Sequence, residues 1–242
     1  MQQDICLRQG YLQKGPTCYL HAMLNALFFS DSICDYLWDV YDHGNVPLDG
    51  YWKAFLMVRS DDLAKQMQRK ILKPSSASRD VHHFLDKLIK HNPVAVLADI
   101  LKNSTLFRRG DYALFNTTSS LSTSPPEKTP LFLFAHVEEK SPAKQNYKKQ
   151  YRFQNVVYTL RSAVIGIHCT NQTIGHAICG YICKDKAYIY DSNLKEALPC
   201  NWLDREEITL ALKYENVVEV VYIVLIYQTA EPIPPSWALV PL

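Results

Sequence analysis

Apolar positions are spaced differently in the two parts of this chain. Up to about residue 110 they recur at helical intervals. From Leu131 they come in short β-branched and aromatic runs. Residues 1–12 read as a lead-in with an edge strand. Gly15 and Pro16 then break the chain, and residues 18–29 read as a helix. His21 and Asn25 stand four apart on one face of it, and the other positions are mostly apolar, so the helix is expected to be buried. A short second helix is predicted between Ser30 and Val40, with Asp31 as its N-cap. Further helices are predicted over 50–72, from Ser78 or Asp80 to Lys90, and over 94–101, with breaks at His43–Pro47 and Pro74–Ser78.

The Ser/Thr/Pro-rich stretch 116–130 reads as a flexible connection. Leu131–Val137 is the first predicted strand, and the lysine-rich 138–150 is a charged hairpin or loop. Val156–Leu160 and Ser162–His168 follow as strands. Ile174–Cys183 and Lys186–Tyr190 form a hairpin around Lys184-Asp185-Lys186. Val217–Tyr227 is almost continuously β-branched and aromatic, the mark of a central strand buried on both faces. Residues 231–242, with four prolines, read as a tail. The expectation is an α+β fold and a single domain over 1–242. A mainly helical half (1–115) packs against an antiparallel β-sheet half (131–230).

Composition narrows this picture. The 242 residues are 48% hydrophobic and 12% aromatic, enough for a full core. A net charge of +2 argues against a nucleic-acid or membrane-surface role, and Tyr147–Arg152 is only a weak local imitation of a basic aromatic stripe. Seven cysteines cannot all pair internally. Cys179 and Cys183 fall on one face of a strand and read as packed thiols, since no second Cys or His pair stands nearby at zinc spacing. Free thiols fit a reducing compartment. The initial Met-Gln-Gln-Asp lacks a signal pattern, and no apolar run approaches the ~18 residues of a membrane span. The expected location is intracellular, in the cytoplasm or nucleus. No metal and no cofactor is expected.

The chemistry concentrates at Cys18, which follows a Gly-Pro-Thr turn and opens the first helix. In a first turn, the helix dipole and unpaired N–H groups favour the thiolate, the nucleophilic form. Gln13, five positions earlier, is a candidate oxyanion donor together with the Cys18 backbone N–H. A thiolate needs a base, and the base an orienter. His176, in Gly-His-Ala, is the candidate base. Asp191, in Tyr-Asp-Ser-Asn, is the candidate orienter, with Asn193 in reserve. The separation 191 − 176 = 15 suits facing positions on two strands of one hairpin. Gly175 is a candidate for close approach of a substrate backbone, although a simple turn needs glycine too. Other histidines are weaker bases. His168 ends a strand beside Cys169, and His136 has no acidic residue at hairpin distance. His43, His82, His83 and His91 lie in the helical half. His21 reads as a packed, hydrogen-bonded residue or a contributor to the cleft.

At these residues the chain resembles a family. Thr-Cys-Tyr-Leu-His-Ala-Met-Leu-Asn-Ala-Leu, around Cys18, is similar to the cysteine box of the ubiquitin-specific proteases, typically Asn-Thr-Cys-Tyr-Met-Asn-Ala. Gly-His-Ala, then Tyr181 and Tyr-Ile-Tyr-Asp-Ser-Asn, resembles their histidine box, Gly-His-Tyr … Tyr-x-Phe-Asp-Asp. The resemblance covers about a fifth of the chain. It implies a papain-like cysteine protease fold and an isopeptidase cleaving after the Gly-Gly tail of ubiquitin or a ubiquitin-like protein. Cys18, His176 and Asp191 would carry the reaction without a cofactor. Several features depart from the family. Gln13 stands where Asn is usual, as in papain and the Josephin deubiquitinases, whose Cys-x-x-His also matches Cys18 to His21. Ser192 replaces the second acidic residue, and the paired Cys-x-x-Cys zinc motifs are missing. A reduced, diverged member is implied, of a kind carried by a large DNA virus or an intracellular bacterium.

Two rival readings remain open. One keeps the thiol chemistry but changes the substrate: a peptidase processing a polyprotein or other protein, or a transglutaminase-like acyl transferase. The other is a catalytically degenerate ubiquitin-binding module. The sequence does not choose among modifiers, and it leaves the oligomeric state open.

Overall fold

A computed structural model describes residues 17–28, 81, 105–107, 132–136, 149–153, 156–170, 175–194, 196–214 and 216–229. These residues form an α+β arrangement with a mixed, mostly antiparallel sheet. In chain order the elements are α1 (Cys18–Phe28), β1 (Thr105–Phe107), β2 (Phe132–His136), β3 (Gln150–Phe153) and β4 (Val156–Cys169). They continue with β5 (His176–Cys183), β6 (Lys186–Tyr190), β7 (Leu198–Pro199), α2 (Arg205–Leu212) and β8 (Val217–Thr229). The strands lie in the order β1-β2-β8-β4-β5-β6-β7, and β3 pairs with β4 off this path. β1 and β2 run parallel, and every other pair is antiparallel.

Helix α1 is apolar almost all round and is buried accordingly: Leu20, Met23, Leu24, Ala26 and Leu27 are at most 1% exposed. Its polar residues are buried as well. Asn25 donates from Nδ2 back to the His21 carbonyl at 2.8 Å, which satisfies part of its buried amide. The helix packs on β4 and β5. Ser162 Oγ donates to the Ala26 carbonyl at 2.6 Å, which pins the end of α1 to the sheet.

On the opposite face, the alternation of β4 turns Leu160, Ala163, Ile165 and Ile167 into a second core with Ile178, Trp202, Ile208, Leu212 and Tyr222. Trp202 lies flat over Gly180, where a Cβ would stand 2.5 Å from two ring carbons, so only glycine admits the indole. Trp202 Nε1 donates to the Tyr181 carbonyl at 3.0 Å, and Tyr222 Oη donates to the Trp202 carbonyl at 2.7 Å. These bonds fix the segment that leads into α2. The N-cap of α2 is Asp204, whose carboxylate accepts from the backbone N–H of Glu206 at 2.9 Å and of Glu207 at 3.4 Å. Lys213, in the left-handed region at φ 53°, ends the helix and turns the chain toward β8.

The expected strands are present with adjusted bounds. The two predicted runs 156–160 and 162–168 are one strand, because the sheet absorbs Arg161 in a bulge between Leu160 and Ser162. The β5–β6 hairpin closes through Lys184 and Asp185, both at positive φ (47° and 62°), which suits the twist of a two-residue turn. β8 lies between β2 and β4, and its residues 224–228 are all buried. β3 begins at Gln150, the last residue of the expected hairpin or loop 138–150. The lead-in, the connection 116–130, the C-terminal tail and, apart from the helical and buried Val81, the helices expected over 30–101 lie outside the described residues.

Among the described cysteines, Cys18, Cys169, Cys179 and Cys200 are free. Cys183 is disulfide-bonded. This corrects the expectation of a packed free thiol there. Strand alternation identified a buried sulfur at position 183, but it does not distinguish a thiol from a half-cystine.

Candidate active site

The Thr17 carbonyl accepts from the backbone N–H of Leu20 at 3.0 Å and of His21 at 3.1 Å, so Cys18 is the first residue of α1. Its side chain is half-buried. Burial alone would raise the thiol pKa. Burial is the largest single influence, but the His176 hydrogen bond, the Ala177 backbone N–H, the His176 charge and the Tyr19 backbone N–H together exceed it, and the pKa is lowered. The cysteine is thus biased toward thiolate by the two backbone donors and the imidazole together.

His176 opens β5, and Asp191 directly follows β6, its neighbour in the sheet. The hairpin brings His176 Nε2 to 2.7 Å from Asp191 Oδ1. That leaves Nδ1 as the nitrogen turned to Cys18. Burial disfavours the imidazolium, but the hydrogen bonds to Asp191 and Cys18 and their charges prevail, and the His176 pKa rises from its ordinary 6.5 to about 9. Asp191 is 1% exposed. Burial pushes its carboxyl up, and hydrogen bonds from His176, Tyr214 and the Asn193 backbone N–H bring it below its usual value. The arrangement is a cysteine biased toward thiolate beside an imidazole biased toward imidazolium, backed by a buried carboxylate.

Asn193 sits elsewhere than its reserve role required. Its backbone N–H donates to Asp191 Oδ1 at 2.8 Å, and its Nδ2 donates to Tyr214 Oη at 3.0 Å. Nδ2 lies 3.4 Å from His176 Nε2, the nitrogen that already donates to Asp191, so this approach joins two donors. Asp191 is therefore the residue that faces the imidazole. Gly175 precedes β5 with the exposed His168 ring laid against it: an added Cβ would stand 2.7 Å from His168 Cε1. His168 thus packs over Gly175 at the rim of the site. His136 is on β2, separated from β5 by β8 and β4. His21 is fully buried one turn into α1. Gln13 lies outside the described residues.

Sequence reasoning missed Tyr214. Its hydroxyl donates to Asp191 Oδ2 at 2.5 Å, and its ring meets the His176 ring edge-on, centroids 6.0 Å apart. No spacing rule ties it to position 176 or 191. The available signal was the Asp204 cap with Glu206 and Glu207, which starts a helix whose end delivers Tyr214 to the carboxylate. Among the described residues, no group of three or more His, Cys, Asp or Glu is placed to hold a metal ion, and no helix is long and apolar enough to cross a membrane.

No protein-family model and no curated protein matches the chain. Solved structures do match. A chain of the SAGA DUB module, with Ubp8, Sgf11, Sus1 and Sgf73 bound to monoubiquitin, aligns with a TM-score of 0.52 at 10% identity. The alignment covers 96% of this chain and 71% of that one. An essential yeast splicing factor aligns at TM-score 0.52 and 12% identity, over 92% of this chain and 69% of that one. At such identities the likeness is one of fold. The two proteins are named for different roles, so the side chains of the site must decide the chemistry.

Proposed function

We propose that this chain is a cysteine-dependent isopeptidase with a papain-like fold, a single domain that removes ubiquitin or a ubiquitin-like modifier from proteins inside the cell. The observation that carries the reading is the linked Cys18, His176 and Asp191: a thiol with lowered pKa, an imidazole held protonated beside it, and a buried carboxylate 2.7 Å from the far nitrogen. Ubiquitin as the substrate is supported by the two sequence boxes and by the fold likeness to a DUB module bound to monoubiquitin.

In this reading the Cys18 thiolate attacks the carbonyl of the modifier's terminal glycine, and a tetrahedral oxyanion forms. Gln13 is assigned as a donor to that oxyanion, and Gly175 to passage of the narrow Gly-Gly tail. His176 gives its proton to the departing lysine amine, the C–N bond breaks, and a thioester remains on Cys18. His176, now neutral, takes a proton from water, whose oxygen attacks the thioester. Collapse releases the modifier's carboxylate and restores the thiolate–imidazolium pair.

The test is reaction of the purified chain with ubiquitin carrying a C-terminal propargyl warhead, read by intact mass, for wild type and Cys18→Ala. An adduct on wild type alone is expected. No adduct, with Cys18 still alkylated faster than the other cysteines, would move the assignment to another modifier or to peptide substrates. No adduct and no selective alkylation would overturn the enzyme reading in favour of a binding module.

A further inference from the structure

We propose that Tyr214 is a positioning residue for catalysis: it grips the Asp191 oxygen that His176 does not use and so fixes the direction in which the carboxylate meets the imidazole. This rests on the thiol-hydrolase reading above. Oδ1 of Asp191 accepts from His176 Nε2 at 2.7 Å and from the Asn193 backbone N–H at 2.8 Å. Oδ2 accepts from Tyr214 Oη at 2.5 Å. The phenol oxygen in turn accepts from Asn193 Nδ2 at 3.0 Å. These bonds close a ring, Asp191 to Tyr214 to Asn193 and back to Asp191, in which every donor and acceptor role is determined. An ionised carboxylate only accepts, so the phenol must donate to it. The phenol oxygen is then left to accept, and the amide of Asn193 must donate.

The terminal torsion of an aspartate is broad and roughly two-fold. Without a partner on Oδ2, that torsion is held at one oxygen only. With Tyr214 in place, both oxygens are fixed and the Oδ1 lone pair stays aimed at His176. The edge-on ring contact of Tyr214 with His176 steadies the imidazole as well. Tyr214 remains a donor at all working pH values, because burial and then the Asp191 hydrogen bond push its own pKa up. Its position follows from α2: the Asp204 cap starts the helix, and the left-handed Lys213 turns the chain so that the next residue meets Asp191.

The experiment compares wild type, Tyr214→Phe, Asp191→Asn and the double variant, all as the full chain. One readout is the rate of Cys18 carboxamidomethylation by iodoacetamide from pH 4 to 10, located by peptide mass. The other is kcat and KM on ubiquitin C-terminal aminomethylcoumarin. Thermal unfolding monitors the fold. Removing the phenol oxygen takes one donor from a buried carboxylate, so Asp191 protonates more readily. The acid limb of the Tyr214→Phe alkylation profile is expected to move to higher pH. Loss of a hydrogen bond to a charged group is expected to lower kcat roughly tenfold, with KM unchanged. In the Asp191→Asn background the same substitution is expected to cost almost nothing further.

A Tyr214→Phe profile superimposable on wild type, or a full additional loss in the double variant, would overturn the assignment. If Tyr214→Phe unfolds, Asn193→Ala breaks the ring at its other member. A smaller shift of the acid limb in the same direction is then expected, and no shift would overturn the proposal. Wild-type Cys18 reacting no faster than Cys169 is a distinct result: it would remove the thiol-hydrolase reading and this proposal with it.

Discussion

Asp191→Asn isolates the electrostatic part of the site, because the amide keeps the shape of the carboxylate and loses its charge. In the native site the His176 pKa lies at about 9 against an ordinary 6.5, despite a burial that works the other way. The hydrogen bond to Asp191 is the largest favourable contribution, and Cys18 supplies a smaller part. With the charge gone, the His176 pKa should fall toward 6.5, a limit approached to the extent that Asp191 rather than Cys18 holds it up. In the proposed mechanism the protonated imidazole is the form that hands a proton to the leaving amine. At pH 8 it is about 90% populated with a pKa of about 9 and about 3% with 6.5, a ratio of about thirty. At pH 6 both forms are mostly protonated, and the ratio approaches one. The expected result is therefore a narrowing of the pH–rate profile from its alkaline side. The variant should lose up to about thirtyfold in kcat at pH 8 and only a few-fold at pH 6. The assay is kcat against pH on a ubiquitin-tail fluorogenic substrate, with an NMR titration of the His176 ring protons as a direct reading. An alkaline limb that stays in place in Asp191→Asn would refute the reasoning, because His176 would then owe its protonation to something other than the carboxylate.

Other expectations follow from single contacts. Gly180→Ala drives a Cβ into the buried Trp202 ring at 2.5 Å and should destabilise the fold by about 1–3 kcal/mol, visible as a lower Tm. Gly175→Ala would meet, as its nearest atoms, those of the exposed His168 ring at 2.7 Å, a side chain at the surface rather than a buried one. Its Tm should hardly change, while KM for a ubiquitin-tail substrate rises if the tail runs past this glycine; an unchanged KM would remove the substrate role. Ser162→Ala deletes the 2.6 Å bond to the Ala26 carbonyl in the core and should cost about 1 kcal/mol in urea unfolding. In Cys18→Ala, stability should fall as pH rises from 6.5 toward the folded pKa of His176, because a raised folded pKa stabilises fully below 6.5 and the contribution is lost as the imidazole deprotonates. Wild type should be flatter over the same range. Its Cys18 has the opposite linkage, present above 9.0 and lost as pH falls through the lowered folded value, so gain and loss offset.

The parts of this fold that could be read in advance are those whose sequence signal is local. The start of α1 at Cys18, the apolar wrap of α1, the β-branched run of β8 and the Lys184-Asp185 reversal each declare their structure within a few residues. The spacing of His176 and Asp191 also proved informative, since a two-residue turn places positions near the two ends of a hairpin side by side. What could not be read was set by tertiary contact. Arg161 disappears into a bulge because the sheet on either side of it pairs with β8, and no residue near 161 announces that. Cys183 looks the same in sequence whether or not a second sulfur reaches it. Tyr214 belongs to the site only because α2 ends where it does. The sequence reading places no helix between Tyr190 and Val217, although Asp204 as an N-cap with apolar Ile208 and Leu212 four apart carries the signal of one.

The residues of the site divide into two sets of unequal dependence. His176, Asp191, Asn193 and Tyr214 come from one stretch of chain, and their mutual bonds are made within β5, β6 and the segment around α2. The basic arm of the site is thereby complete whenever that half of the sheet is folded. Among the described residues of the site, Cys18 alone arrives from a distant part of the sequence, and what delivers it is the docking of α1 on β4 and β5. The helix is held by its buried apolar surface and by Ser162 at its far end, while its first turn presents the thiol to the His176–Ala177 end of β5. The lowered pKa of Cys18 depends on this docking, because two of its causes, the imidazole and the Ala177 N–H, belong to the strand and not to the helix. A cysteine at a helix N-terminus is only biased toward ionisation. Here the sheet supplies the larger part of that bias, so the lowering of the Cys18 pKa and the packing of α1 are one event.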